Sequence, residues 1–287
     1  NPFKEHILTP GKQEFVKQCG NNANIDYLKG CETSLVPAVH GCLSGIDWIQ
    51  GVARGFFIAP WNECVYCYAQ AKHKSPFKSF YRIDWDKLKV ELLGEACLVT
   101  GSEKKYGRAV ERLRFGKRTE AASFLTRPQF IKTLEICVDT GTQGVIPTKA
   151  LEFDKEVAAL LKKTNSNVLY SSGWDEHEYG AVHLGFTNEW RLEQAARYGA
   201  SGVNTAVYFM IANPCREPTQ RDKDLIEKLE GIKNHIMGVQ LLPMRYKSKE
   251  LAQRIAGLNW NDARNDMDLL LKQDPDNMES LMELIKI

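Results

Sequence analysis

Two cysteines set two residues apart, Cys64 and Cys67 in "NECVYCYAQAKH" (62–73), are the first residues of the chain whose spacing could do chemistry. Such a pair can hold zinc, ligate an iron–sulfur cluster, or cycle between dithiol and disulfide. The other cysteines, at 19, 31, 42, 97, 137 and 215, are unevenly spaced and too sparse for a disulfide scaffold. A reducing, cytoplasmic setting is the expectation. A zinc site would complete the pair with Cys42, Cys31, His40 or His73. A thioredoxin-like role is disfavoured, because that motif opens a helix in a smaller fold.

The elements that must position this pair follow from the hydrophobic pattern. From about residue 110 onward, short apolar runs alternate with amphipathic stretches. Strands are predicted at 111–116, 144–149, 167–172, 202–211 and 236–243, with an earlier one at 54–60 ending just before the CxxC. Helices are predicted at 126–141, with Pro128 in the first turn and Gly141 as its stop, and at 154–164, with Asp154 as N-cap. Two more fall near 188–200 and 219–233. This alternation implies right-handed βαβ units and a parallel sheet, an α/β fold of the partial (β/α)6 TIM-like barrel kind.

In such a fold the chemistry sits on loops leaving the C-terminal strand ends. Cys64, Cys67, Thr119, Glu120, Lys149, Ser171, Ser172, Cys215 and Arg245 all fall at or just after predicted ends. Residues 1–50 read as an N-terminal extension, 51–247 as the barrel, and 248–287 as a C-terminal helical cap with Pro275 between two helices.

With those segments in order, the chain resembles the radical S-adenosylmethionine superfamily, especially spore photoproduct lyase and its relatives, over roughly 54–245. "CVYCYAQAKH" is similar to the end of the family's cluster-binding element, and "LRFGKRTEAASFLTR" to its second strand and following loop, with Glu120 where the family has Asp. "PTKALEFD" resembles the third-strand segment, and "YSSGWDEHEYGAVHLGFTNEWRLEQAARYGASGVNTAVYFMIANP" the fourth-strand serine, an Arg-Leu helix and the fifth strand.

The resemblance implies a [4Fe–4S] cluster and S-adenosylmethionine, cleaved to a 5'-deoxyadenosyl radical that takes hydrogen from a nucleic-acid-related substrate, as in lyase-type DNA repair. It implies an external electron donor as partner. Cys64 and Cys67 would ligate iron, Tyr66 would flank the adenine, Lys149 with Ser172 would hold the amino-acid end, and Tyr68, Thr119, Glu120 and Ser171 are further cofactor-binding candidates. The family's usual CxxxCxxC is incomplete, because Pro60 stands four residues before Cys64. Cys42 is the first candidate for the third ligand and Cys97 the second. The same departure fits an alternative: a cofactor-degenerate or zinc-stabilised barrel acting as a binding module.

Several of these residues have plainer readings. A strand-end lysine such as Lys149 commonly extends to solvent, and Ser171 with Ser172 could simply begin a turn before Gly173. Cys215 is a candidate hydrogen-atom donor, although a free cysteine is more often a small buried apolar group, the reading given to Cys137. Asp175, Glu176, His177 and Glu178 would suit acid–base chemistry or a helix N-terminus equally.

Formal net charge is +2, so no global field draws the protein to nucleic acid or an anionic membrane. The local exception is 104–118, with seven basic residues against Glu111, which could follow phosphates or form a solvated helix face. Lys72, His73, Lys74 and Lys78 could extend that patch. No signal-like apolar run and no stretch of eighteen apolar residues is present, so membrane contact is not expected.

Overall fold

The structure is a computed structural model that describes residues 35–37, 44–46, 49–50, 79–80, 83–95, 98–100, 103–105, 109–116, 120, 122, 126–173, 186–211 and 220–243. Its strands are β1 (Leu35–Pro37), β2 (Ser44–Ile46), β3 (Ile49–Gln50), β4 (Ser79–Phe80), β5 (Leu98–Thr100), β6 (Glu103–Lys105), β7 (Arg112–Phe115), β8 (Gln143–Thr148), β9 (Asn167–Gly173), β10 (Asn204–Ile211) and β11 (Val239–Pro243). The helices are α1 (Trp85–Leu92), α2 (Arg127–Thr140), α3 (Lys155–Lys163), α4 (Asn188–Ala200) and α5 (Gln220–Ile232), with a 3-10 turn at Lys233–His235.

One seven-stranded sheet runs β1-β2-β7-β8-β9-β10-β11. From β2 to β11 every pairing is parallel, and only β1 is antiparallel. The six parallel strands follow one another in chain order, so each crossover advances in the same direction. Right-handed connections then keep the helices on one side of the sheet. This is the winding of a barrel, left open here between its outer strands.

The predicted α/β partial barrel of six parallel strands is therefore the observed architecture. Its first parallel strand is β2, so the sheet starts within the first fifty residues. The strand expected at 54–60, the remainder of the proposed N-terminal extension and the proposed C-terminal cap lie outside the described residues.

Local chemistry explains the helix boundaries. The Asp154 carboxylate accepts from the backbone N–H groups of Glu156 (2.7 Å) and Val157 (3.1 Å), capping α3, while Lys162 and Lys163 sit in its last turn. Pro128 occupies the first turn of α2, and Gly141 ends it with φ 69° in the left-handed region. Thr187 caps α4 through Trp190 N–H at 3.2 Å.

Alternation along the strands sorts their side chains onto two faces. Leu113, Phe115, Ile146, Val168, Tyr170, Val207 and Phe209 join helix residues such as Phe130, Leu134, Leu161 and Leu192 in one buried core. Phe115 and Phe130 meet edge to face at 5.6 Å between centroids, which fixes that side of β7 as the one facing α2. The intervening residues, among them Arg114, Val145, Pro147, Leu169, Ser171 and Tyr208, are all half-buried and belong to the concave face.

Candidate functional site

The C-terminal ends of β7, β8 and β9 bring together Glu120, Lys149, Ser171 and Ser172, four residues that the sequence places in three separate segments. Glu120 and Lys149 are each 8% exposed. The Glu120 carboxylate acts as a clip between the loop after β7 and the end of β8. One oxygen accepts from the Thr148 hydroxyl (2.6 Å) and the Ala122 N–H (3.2 Å), and the other from the Lys149 N–H (2.8 Å).

A carboxylate offers about four acceptor positions, so three of them serve the protein itself. Burial pushes the Glu120 carboxyl above its usual range, against the pull of the Thr148, Lys149 and Ala122 hydrogen bonds and the Lys149 charge. Thr148, which the sequence reading did not single out, is the hub of this end. Its hydroxyl also accepts from the N–H groups of Ala150 and Leu151, both at 3.0 Å, and so turns the chain away from β8. Tyr170 completes the cluster by donating to the Leu151 carbonyl at 2.6 Å, and burial raises its phenol well above the ordinary value.

At the end of β9 the two serines part company. Ser172 is fully buried on the helix side, where its hydroxyl donates to Asn188 Oδ1 at 3.1 Å. Arg191, fully buried in α4, donates to the same oxygen at 3.3 Å and to the Ser171 carbonyl at 3.2 Å. Ser171 lies on the concave face in register with Tyr208 of β10. Asn188 and Arg191 are further residues that sequence reasoning missed as parts of this strand end. The signal available was their i, i+3 spacing at the start of an amphipathic helix following a Ser-Ser strand end.

Tyr66, Tyr68, Thr119, Cys42, Cys64, Cys67, Cys97, Cys215, Arg245 and the 175–178 acidic run lie outside the described residues. Cys137 is buried among apolar neighbours, its thiol pushed up to about 12 by burial, as a core cysteine should be. The basic stretch 104–118 is not a helix face where it is described. Its residues 112–115 form β7, with Arg112 exposed and Arg114 half-buried on the concave side. Among the described residues no group of three or more metal-binding side chains occurs, and no helix is long and apolar enough to cross a membrane.

No family model and no curated protein matches the chain. Among solved structures, it is similar to Streptococcus suis SuiB bound to S-adenosylmethionine, at 11% identity and a TM-score of 0.40, over 87% of this chain and 48% of that one. It thus spans about half the length of SuiB. It is also similar to a spore photoproduct lyase variant with bound AdoMet and dinucleoside spore photoproduct, at 16% identity and a TM-score of 0.45, over 96% of this chain and 92% of that one.

Proposed function

We propose that this chain is a radical S-adenosylmethionine enzyme, related in type to spore photoproduct lyase, acting on a nucleic-acid-related substrate. The observation that supports the reading is the meeting of Glu120, Lys149 and Ser171 at the ends of three neighbouring parallel strands, each drawn from a different motif-bearing segment. A cation beside a concave-face hydroxyl suits the amino-acid end of S-adenosylmethionine, whose carboxylate needs a charged partner. Lys149 and Ser171 take that role here, because the Ser172 hydroxyl is spent on Asn188 behind the sheet.

Glu120 and Thr148 keep the Lys149 backbone in place, and burial of this strand end keeps water from competing for the lysine. Cys64, Cys67 and Cys42 would hold the cluster, Tyr66 would flank the adenine, Tyr68 and Thr119 would contribute further cofactor contacts, and Cys215 would return a hydrogen atom to the product. When bound, the cluster and S-adenosylmethionine supply the reductive carbon-radical chemistry; the protein supplies placement and a dry cavity.

Anaerobic reconstitution tests the reading. The expected result is a brown protein with about four irons per chain that releases 5'-deoxyadenosine from S-adenosylmethionine when given a reductant. Cys64→Ala should abolish both properties, and Cys42→Ala should show whether Cys42 is the third ligand. Colourless protein with a single zinc would replace the enzyme reading with that of a metal-stabilised binding module.

A further inference from the structure

The face that α4 turns toward the sheet is polar along its whole length. Asn188, Arg191, Gln194 and Tyr198 recur at spacings of three and four residues, which places them on one side of the helix, and all four are buried. A helix held by packing alone would carry apolar side chains there, since a buried polar group costs free energy unless it is hydrogen-bonded. Each of these four bonds the end of a parallel strand or the loop that leaves it. Asn188 and Arg191 serve the end of β9. Gln194 and Tyr198, further along the helix, serve the loop 149–154 after β8.

That loop is tied down by side chains at each residue from Lys149 to Asp154. The Lys149 N–H is held by Glu120, the Ala150 and Leu151 N–H groups by Thr148, and the Leu151 carbonyl by Tyr170. α4 fixes the second half. Gln194 Oε1 accepts from the Phe153 N–H at 2.8 Å, and the Tyr198 hydroxyl donates to the Glu152 carbonyl at 2.9 Å while accepting from the Asp154 N–H at 3.3 Å. The Phe153 ring is clamped as well, edge to face with Tyr198 at 5.0 Å and under the Arg197 guanidinium at 4.6 Å. Loops are ordinarily the mobile part of a fold, so bonding this dense marks a loop whose position matters.

We propose that Gln194 and Tyr198 are positioning residues for the amino-acid end of S-adenosylmethionine. They act through the loop that begins at Lys149, while Arg191 on the same helix holds the Ser171 carbonyl. One helix thereby sets the spacing of the two groups assigned to that end. A carboxylate met by a cation already in place loses less to ordering than one that must gather its partner. The proposal rests on the functional reading above and deepens it, by naming what makes Lys149 a fixed contact.

The test is calorimetric, on the reconstituted full chain without reductant, using S-adenosylmethionine and 5'-methylthioadenosine, which keeps the adenosine and lacks the amino-acid end. Wild-type protein should bind the first more tightly. Gln194→Met and Tyr198→Phe should each weaken S-adenosylmethionine about threefold to tenfold and leave methylthioadenosine within about twofold. Hydrogen exchange should accelerate at the Phe153 N–H in the first variant and at the Asp154 N–H in the second. Leu88→Ala, in the core beneath α1, should lower the melting temperature and leave the ratio of the two affinities as in wild type. Should Tyr198→Phe fold poorly, Gln194→Met carries the same test by itself. The proposal fails if either folded variant keeps the wild-type ratio, if both ligands weaken equally, or if Leu88→Ala narrows the ratio as much. Any of these, with wild-type discrimination present, overturns the positioning role alone. Wild-type protein that binds S-adenosylmethionine no better than methylthioadenosine overturns the functional reading and the proposal with it.

Discussion

The two faces of the sheet solve opposite problems with the same strands. On the helix side, the strand-end cluster is knit together by hydrogen bonds, Glu120 with Thr148, Ala122 and Lys149, Tyr170 with Leu151, Ser172 and Arg191 Nη1 with Asn188, although the buried Arg191 Nε makes none. On the concave side, Arg114 and Tyr208 are without such partners among the described residues. A network that shares several hydrogen bonds at one strand end is costly to break, whereas a side chain without such bonds is cheap to replace. The difference teaches which side chains hold the sheet together, and substitutions can sharpen or break it.

The largest effect is expected at Arg191. Arg191→Ala removes a fully buried side chain, leaves the Asn188 and Ser171 oxygens short of a donor and opens a cavity, so unfolding by denaturant should show a loss of about 3–5 kcal/mol. A loss under about 1 kcal/mol would remove Arg191 from the structural side of the comparison.

Glu120→Ala should come next, at about 2–4 kcal/mol, because the Ala122 and Lys149 N–H groups and the Thr148 hydroxyl lose their shared acceptor together. Hydrogen exchange should then accelerate at Lys149 and Ala122 before it does in α3. Unchanged protection there would mean the clip is not what holds the end of β8.

Asp154 gives a smaller effect with a pH signature. Partial burial alone would push its carboxyl up, but the Val157 N–H, the Arg127 guanidinium and the Glu156 N–H together hold it below the usual 3.8. A carboxyl lowered on folding stabilises the protein above its unfolded value, and that contribution is lost as pH falls through the folded one. Asp154→Asn keeps a capping side chain but loses the charge, so it should cost about 1 kcal/mol near pH 7 and nothing once pH drops well below 3.8. A cost that persists in acid would assign the effect to shape instead of charge.

The smallest effect on the fold is expected on the concave face. Arg114→Met should leave the ligand-free melting temperature unchanged or slightly raised, since an apolar side chain of similar length replaces a half-buried charge that lacks a partner among the described residues. A drop comparable to that of Glu120→Ala would erase the contrast between the faces.

Much of the parallel half was legible in the sequence. The short apolar runs at 144–149 and 167–172 and the capped helices at 126–141 and 154–164 correspond to β8, β9, α2 and α3 within a residue or two. Asp154, Pro128 and Gly141 act locally, and local signals can be read without knowing the fold. The region before residue 110 was not resolved in that way. α1, which has an Asp84 cap, and the β5–β6 hairpin, whose strands are three residues each, carry patterns too short to stand above their surroundings.

The sequence by itself determined the order of strands and helices, the parallel class of the sheet and the placing of Glu120, Lys149 and the two serines at strand ends, because these depend on periodicity and caps within single segments. Only the tertiary structure decided that β2 opens the parallel series, that Ser172 turns toward α4 while Ser171 stays on the concave face, and that Arg114 belongs to a strand and faces the concave side instead of lying on a solvated helix face. Those facts depend on which strands pair and in what register. A shift of one residue reverses every side chain's face, and nothing local in the chain records that choice.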